Sequence, residues 1–475
     1  MKLFEPLAIG SMVIPNRIMV PAMVTRLSGE DGFVNQAISD RYAGYAAGGV
    51  GLVVIEAMAV HHAKSGPLLR ISDDKYIAGL AEMVRRIHDT SDSKVVPQII
   101  HFMKVARTGW RQTVDTLAPQ EIDAIVEQFG DAVLRARMAG FDGAELHSAH
   151  AYTLASFLSR ANPRRGEYGG DSLEGRLRLI GRVMENIRRK VGADFPVCIR
   201  IDSEEFIKDG YTVDDSKLIA LRLAQLGFGY ISLSVGGKFE DAIHKPGEVP
   251  YPYTGYSGDR AMPGNWYPPM VHAHLAAEIR SFVRSKGYQV PIAVAGKISD
   301  PDDAESVIAD GKADIVAIAR GLLADPYWPN KVRAGQRDRI VQCDYCNYCK
   351  DLDGTHKDVV CYLWPKGARH APAYEPGGAV PQWAADGGGL RVEIKPRGAV
   401  LRWSKPDRAV VHYDVYRADD EGKVKVIDGV KANQWTDPTI LGGVRYRYYV
   451  RACDASGSAS APSNSVLAEP PVPSA

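Results

Sequence analysis

The sequence predicts an α/β chain: a (β/α)8 TIM barrel, then a cysteine-bearing segment, then a small all-β sandwich. Short apolar runs alternate with longer stretches of helical periodicity from about residue 17 to 320, the pattern of parallel strands joined by helices. Eight such runs occur, the number that closes a barrel. Past a stretch rich in glycine and proline at residues 366–387, the periodicity shortens to the alternating runs of a sandwich.

The barrel strands are expected at residues 17–22, 51–55, 95–100, 143–146, 197–201, 230–234, 292–295 and 314–319. Between them, helices are expected at residues 38–47, 77–88, 119–138 and 214–226, the last two opening on Pro119 and Asp214, good helix starters. Sandwich strands are expected at residues 390–394, 399–403, 413–417 and 446–452. The resulting domains are a barrel at 1–335, the cysteine segment at 336–365, a linker at 366–387, the sandwich at 388–468 and a tail at 469–475. In such a barrel the chemistry sits just past the carboxyl ends of the strands, where the βα loops gather.

Composition narrows the function. Hydrophobic residues at 45% and charged residues at 24% are those of a globular chain able to bury a core. With 58 Lys+Arg against 57 Asp+Glu there is no basic field to hold nucleic acid. The longest apolar run, residues 49–60, is broken by Glu56 and falls short of the ~20 residues a membrane span needs. The first residues carry no apolar signal core, so a soluble cytoplasmic enzyme is expected. Four of the six cysteines lie within residues 343–361, which reads as a metal site rather than disulfides.

The segment His147-Ser-Ala-His150-Ala-Tyr152 follows the fourth strand and puts two imidazoles and a phenol on one loop. Two imidazoles can donate to a carbonyl oxygen, and a phenol can deliver one proton to a developing carbanion. With Phe157-Leu-Ser159, Asn162, Arg164, Tyr168-Gly-Gly-Asp171 and Glu174-Gly-Arg176, this stretch resembles the signature of the Old Yellow Enzyme family of flavin-dependent barrels. The resemblance runs over residues 1 to about 365. It implies FMN as cofactor, His147 and His150 as carbonyl-polarising groups and Tyr152 as proton donor.

The same resemblance assigns FMN contacts. Ala22, Met23 and Val24 follow the first strand, Ala57 ends the second, Gln98 matches the glutamine at the pyrimidine edge, and Arg200 matches the arginine near flavin N1. There a fixed positive charge stabilises an anionic reduced ring. Gly296, Lys297, Ala319 and Arg320 end strands seven and eight, where a phosphate is expected. Two departures from the family pattern, Asp171 for serine and Gly166 for an acidic residue, touch local salt bridging and not the chemistry.

Cys343, Cys346, Cys349 and Cys361 have a spacing that suits zinc or an iron–sulfur cluster, and spacing alone does not separate them. Directly after such a barrel, the array resembles the [4Fe-4S] site of the branch containing 2,4-dienoyl-CoA reductase and trimethylamine dehydrogenase, which implies a cluster relaying electrons to FMN. Residues 366–475 lack the G-x-G-x-x-G fingerprint of a dinucleotide fold, so a separate donor is expected: a ferredoxin, an electron-transferring flavoprotein or a reductase subunit. Residues 1–197 contain no cysteine, which rules out a cysteinyl-flavin link near the first strand.

The sandwich resembles a fibronectin type III domain through Ala399-Val-Leu-Arg-Trp403, Tyr413-Asp-Val-Tyr-Arg417 and Tyr446-Arg-Tyr-Tyr-Val-Arg-Ala452. The linker implies no coupling to the flavin, so truncation near Ala373 is expected to spare both cofactors. The long loop after strand six carries Tyr251, Tyr253, Tyr256, Trp266, Tyr267 and His244; its aromatics fit a pocket for a planar substrate, a cage for an amine, or a loop packed on itself. His61 and His62 follow strand two and are further candidates for the site. These readings lead to an ene-reductase acting on a carbonyl-conjugated alkene, CoA esters included, as a homo-oligomer. Amine dehydrogenation is the alternative, and an electron-transfer or scaffolding subunit is the alternative from another class.

Overall fold

The computed structural model describes residues 1–62, 66–105, 110–237, 241–243, 253–374, 381–419, 424–454 and 459–472. The candidates His244 and Tyr251, linker residues 375–380 and tail residues 473–475 lie outside the described residues. Two compact units form: Met1–Leu322 with Leu352–Val359, and Leu323–Asp351 with Val360–Ala475.

In the first unit a hairpin, β1 (Leu7–Ile9) and β2 (Met12–Ile14), precedes eight parallel strands: β3 (Ile18–Val20), β4 (Leu52–Ala59), β5 (Lys94–Ile100), β6 (Ala144–Ser148), β7 (Val197–Asp202), β8 (Ile231–Ser234), β9 (Ile292–Val294) and β10 (Ile315–Ala317). They close into a barrel in the order β10-β3-β4-β5-β6-β7-β8-β9, as the eight apolar runs require. Helices α1 (Gln36–Ala47), α2 (Ile77–Thr90), α3 (Pro119–Met138), α4 (Thr153–Leu158), α5 (Leu173–Val191), α6 (Val213–Gln225), α7 (Gly255–Ala261), α8 (Ala273–Ser285), α9 (Pro301–Ala309) and α10 (Arg320–Ala324) intervene. Local chemistry starts them. The Asn35 side chain accepts from the Ile38 amide at 3.1 Å to open α1, and the Ser172 side chain accepts from the Gly175 amide at 3.0 Å to open α5.

Inward-facing positions alternate along each strand, and their chemistry changes from one end of the barrel to the other. Met19, Leu52, Val54, Val96, Cys198, Tyr230, Ala293 and Ile315 form an apolar core with Ile9, Met12 and Ile14 of the hairpin. Toward the carboxyl ends the same alternation reaches Gln98, His147, Arg200, Asp202, Ser232 and Ser234, all buried. Register sets them side by side: Gln98 pairs Glu145, His147 pairs Arg200, Arg200 pairs Ser232, and Asp202 pairs Ser234. A polar layer on an apolar plug is what positions the site.

The second unit holds α11 (Trp328–Arg333), α12 (Tyr348–Gly354), whose last turn crosses into the first unit, and seven antiparallel strands. Strands β11 (Arg391–Lys395), β12 (Gly398–Arg402) and β15 (Gln434–Asp437) make one sheet. Strands β13 (His412–Asp419), β14 (Val424–Val430), β16 (Tyr446–Cys453) and β17 (Val466–Ala468) make the other, in the order β14-β13-β16-β17. Trp403, Tyr413, Val415, Tyr446, Tyr448 and Val450 fill the core between them. The sheets are tied by Asp437, which accepts from Arg417 and Tyr448 at 2.8 Å each. Sequence periodicity missed β14, β15 and β17 because they are short or half exposed, so no apolar run marks them.

A second apolar cluster in this unit joins Ala324, Tyr362, Leu363 and Tyr416 with Val341, Cys343, Cys346, Tyr348, Cys361, Val426 and Tyr449. Cysteine segment and sandwich therefore pack together, whereas the glycine- and proline-rich stretch between them suggested independence. Among the described residues, no helix is long and apolar enough to cross a membrane.

Candidate functional site

The His147–Tyr152 segment leaves β6 through an unusual turn. His150 and Ala151 both have positive φ, 58° and 55°, a conformation that costs a non-glycine residue stability unless its surroundings fix it. Asp202, at the end of β7, does so: its carboxylate accepts the His150 amide at 2.9 Å. The His150 ring Nε2 sits 2.6 Å from the Ser234 hydroxyl at the end of β8. Ring centroids of His147 and His150 are 5.2 Å apart, and those of His147 and Tyr152 are 5.0 Å apart. The three predicted catalytic residues are thus brought together over the polar layer.

Beneath them Arg200 donates to the Ser232 hydroxyl at 2.9 Å. Gln98 donates through its amide to Glu145 Oε1 at 2.7 Å, and the other Glu145 oxygen accepts from Tyr230 at 2.7 Å. Burial pushes the Glu145 carboxyl up, against the pull of Arg200 and its two donors. Asp202, Ser234 and Glu145 escaped sequence reasoning, since each acts through a residue that only barrel register brings to it.

The aromatic wall extends further. Phe102 lies 5.2 Å from Tyr152, His61 lies 5.3 Å from both Phe102 and His101, and Tyr253 lies 5.5 Å from His150. His61 and Tyr253 therefore join the site, with His101 and Phe102, which sequence reasoning passed over. Burial and the neighbouring His61 push His101 down to about 3, so it is neutral at physiological pH. Thr153 gives its one hydroxyl proton to the His101 carbonyl at 3.0 Å, so its oxygen accepts from His101 Nδ1–H at 2.7 Å.

Glu56 on β4 is fully buried; its Oε2 accepts from the Thr25 amide at 3.0 Å and the Tyr42 hydroxyl at 3.2 Å, and its Oε1 has no partner. Burial outweighs those donors and raises its pKa from the usual 4.5 to about 7. The folded state therefore holds this proton more tightly than the unfolded chain. The associated stability is full below pH 4.5 and is lost as pH rises through about 7. Glu56→Gln is expected to match the wild type near pH 4.5 and to exceed it by ~3 kcal/mol at pH 8, at ~1.4 kcal/mol per pKa unit. Denaturant midpoints of both proteins at the two pH values check this; equal midpoints at pH 8 would refute the buried charge.

Ala22, Met23 and Val24 are half-buried just past β3, and Ala57 is buried on β4. Gly296 and Lys297 follow β9 with φ of 131° and 54°, and Ala319 stands immediately before α10, which Arg320 opens. The Lys297 ammonium donates to the carbonyls of Asn265 and Tyr267, and Arg320 donates to that of Pro263, all in the loop after β8. The donor set suits a flavin: buried Arg200 and Gln98 face the barrel interior, and half-buried apolar residues line its rim.

Cys343, Cys346, Cys349 and Cys361 are all half-buried. Burial pushes the Cys346 and Cys361 thiols up, and each is raised further by Cys343 and Cys349. Tyr345 and Asn347, with φ of 59° and 64°, curl the backbone around them, and the Tyr345 amide donates to Cys343 Sγ at 3.4 Å. Cys343, Cys346 and Cys361 lie in the apolar cluster, and thiols in such surroundings with an amide donor suit a thiolate-held metal centre. Elsewhere, among the described residues, His412, Asp414 and Cys453 are a ligand trio within 4.8 Å, in which the Cys453 thiol donates to Asp414 at 3.5 Å.

Residues 2–232 and 268–339 match the model of the NADH:flavin oxidoreductase / NADH oxidase family. An NADH oxidase of Thermoanaerobacter brockii is 36% identical over 366 residues, covering 73% of this chain and 52% of that protein. An N,N-dimethylglycine/sarcosine dehydrogenase of Chromohalobacter salexigens is 29% identical, covering 76% and 52%, and a cinnamate reductase of Clostridium sporogenes is 29% identical, covering 72% and 54%. The chain spans about half the length of these curated relatives. With a closed eight-stranded barrel and the family model matched over more than half of its residues, the chain belongs to the NADH:flavin oxidoreductase / NADH oxidase family, the family of the Old Yellow Enzyme.

Proposed function

We propose that this flavin-dependent oxidoreductase is an FMN- and [4Fe-4S]-dependent ene-reductase acting on a carbonyl-conjugated alkene, with electrons from a separate protein donor. The convergence of His147, His150 and Tyr152 above Arg200 carries the reading. FMN, when bound, would supply hydride chemistry toward the β carbon. His147 and His150 present imidazole N–H groups to the carbonyl oxygen, His150 being oriented by Ser234 and Asp202. Tyr152 then protonates the α carbon. Gln98 and Arg200 would hold the flavin ring, with Ala22, Met23, Val24 and Ala57 as its apolar contacts and Gly296, Lys297, Ala319 and Arg320 as the residues for its phosphate. The cinnamate reductase relative, named for a conjugated enoate, supports the substrate class.

Cys343, Cys346, Cys349 and Cys361 would hold the cluster, and the three-on-four strand order of the sandwich supports its fibronectin type III reading. Anaerobically purified protein is expected to carry about one FMN, four iron and four acid-labile sulfide per chain. Stoichiometric zinc without sulfide would remove the cluster. Cinnamate-type enoates and enoyl-CoA esters are the substrates to assay with dithionite-reduced enzyme; turnover of tertiary amines alone would favour the second reading, amine dehydrogenation. That reading rests on the dimethylglycine/sarcosine dehydrogenase relative and on Tyr253, whose ring adds an aromatic face beside His150.

The family's name puts direct reduction by NADH against the separate donor. Slow flavin bleaching by NADH, compared with a low-potential protein donor, is the expected result. Rapid, saturable bleaching by NADH would dispose of the separate donor.

A further inference from the structure

The four-stranded sheet of the sandwich has two buried faces. On β13, Tyr413 and Val415 point into the sandwich core, and on β16 so do Tyr446, Tyr448, Val450 and Ala452. The alternate positions point outward, where a sheet facing water would carry exposed polar residues. Instead Tyr416 is 1% exposed and Arg451 is 4% exposed.

The cysteine segment covers this outer face. The Tyr416 ring lies 5.8 Å from that of Tyr362, next to Cys361. Arg451 donates to the carbonyls of Ser460 and Leu363, crossing from β16 to the residue two beyond Cys361. Tyr449 donates to Asp344 Oδ2 at 3.1 Å, and Tyr362 donates to the same oxygen at 2.5 Å. Asp344 Oδ1 accepts the Cys346 amide at 3.2 Å. The aspartate between the first two cysteines is thus used wholly as an acceptor, fixed from one side by its own loop and from the other by the sheet.

We propose that the outer face of this sheet is a wall of the metal site and that Tyr449 and Tyr362 fix Asp344 as a potential-setting charge beside the cluster. The inference rests on the cluster reading above. A fixed negative charge in a partly buried site opposes the arrival of an electron, so it lowers the reduction potential of the group it faces. Hydrogen bonds around a metal site tune it in the same way. The charge is held against the ligand loop itself, because Asp344 stands between Cys343 and Cys346 and accepts the Cys346 amide. The sandwich then serves redox chemistry by holding a charge in place, while contributing no ligand.

Full-length wild type, Asp344→Asn, Tyr449→Phe and Tyr362→Phe are compared for iron, sulfide and FMN content and by redox titration followed by electron paramagnetic resonance. Asp344→Asn is expected to keep its iron and move the cluster midpoint positive. The reduced-to-oxidised ratio at a fixed poise would change by about tenfold, ~59 mV for a one-electron couple. Each Tyr→Phe variant keeps the ring and the carboxylate but removes a donor, so its midpoint moves the opposite way with iron unchanged. A purely structural role would produce no such opposition of sign. An unmoved midpoint in an iron-replete Asp344→Asn protein overturns the proposal, and unmoved midpoints in both tyrosine variants overturn the part given to the sheet and loop. If Asp344→Asn assembles no cluster, the tyrosine variants decide alone. Wild type without iron or sulfide overturns the cluster reading instead.

Discussion

Tyr152→Phe is expected to bind flavin as the wild type does and to turn over a conjugated enone or enoate ~10²- to 10⁴-fold more slowly, the usual worth of a positioned general acid. The substitution removes one oxygen and no packing. Tyr152 is 8% exposed, packs against Phe102 and His147, and stands immediately before α4 with backbone φ −72° and ψ 177°, a conformation phenylalanine adopts freely. Its ring volume is retained within the cluster of Ala57, Ala59, Leu68 and Ile100. The loss should therefore appear in the rate of alkene reduction by pre-reduced enzyme, with ligand affinity and flavin reduction little changed. Stopped-flow measurement of the two half-reactions separates them. An unchanged oxidative half-reaction would show that the proton comes from another group.

The barrel was legible because parallel strands buried on both faces read as continuous apolar runs. The eight runs and the four expected helices all fall on observed elements. The catalytic trio was legible for a different reason: His147, His150 and Tyr152 lie on one loop, so sequence proximity already approximates spatial proximity. What holds the trio was not. Asp202 and Ser234 reach His150 across 52 and 84 residues, and Glu145 reaches Gln98 across 47. Only barrel register brings them together. His101 and Phe102 were passed over because a strand end carrying an imidazole and a ring reads as ordinary core.

The covered face of the sandwich did leave a trace. Tyr413-Asp-Val-Tyr416 and Tyr446-Arg-Tyr-Tyr449 put aromatic residues on both faces of β13 and β16, where a half-exposed sheet alternates apolar with polar. Tyr416 and Tyr449 were the signal of a second contact. The glycines and prolines between the cysteines and the sandwich argued instead for independence, because linker composition reports on local chain stiffness and not on what packs later.

A chain ending at Ala373 is accordingly expected to keep its flavin and lose its iron, reversing the expectation drawn from the linker. The barrel closes within Met1–Leu322, and the returning segment Leu352–Val359 is retained: the Val359 amide donates to the Thr25 carbonyl at 2.8 Å, and Arg26 pairs with Asp353 at 2.8 Å. The truncation strips Tyr416, Val426 and Tyr449 from the apolar cluster around Cys343, Cys346 and Cys361, and strips the Arg451 bond to Leu363. Each large side chain so lost is worth ~1.5 to 3 kcal/mol of burial. Flavin absorbance and colorimetric iron on the truncated protein give the answer, and four irons per truncated chain would return the sandwich to the status of a separate module. Full-length Tyr416→Ala tests the same contact without removing the domain. Tyr416 lies outside the sandwich core, so this variant should keep its sandwich fold and its flavin while iron occupancy falls.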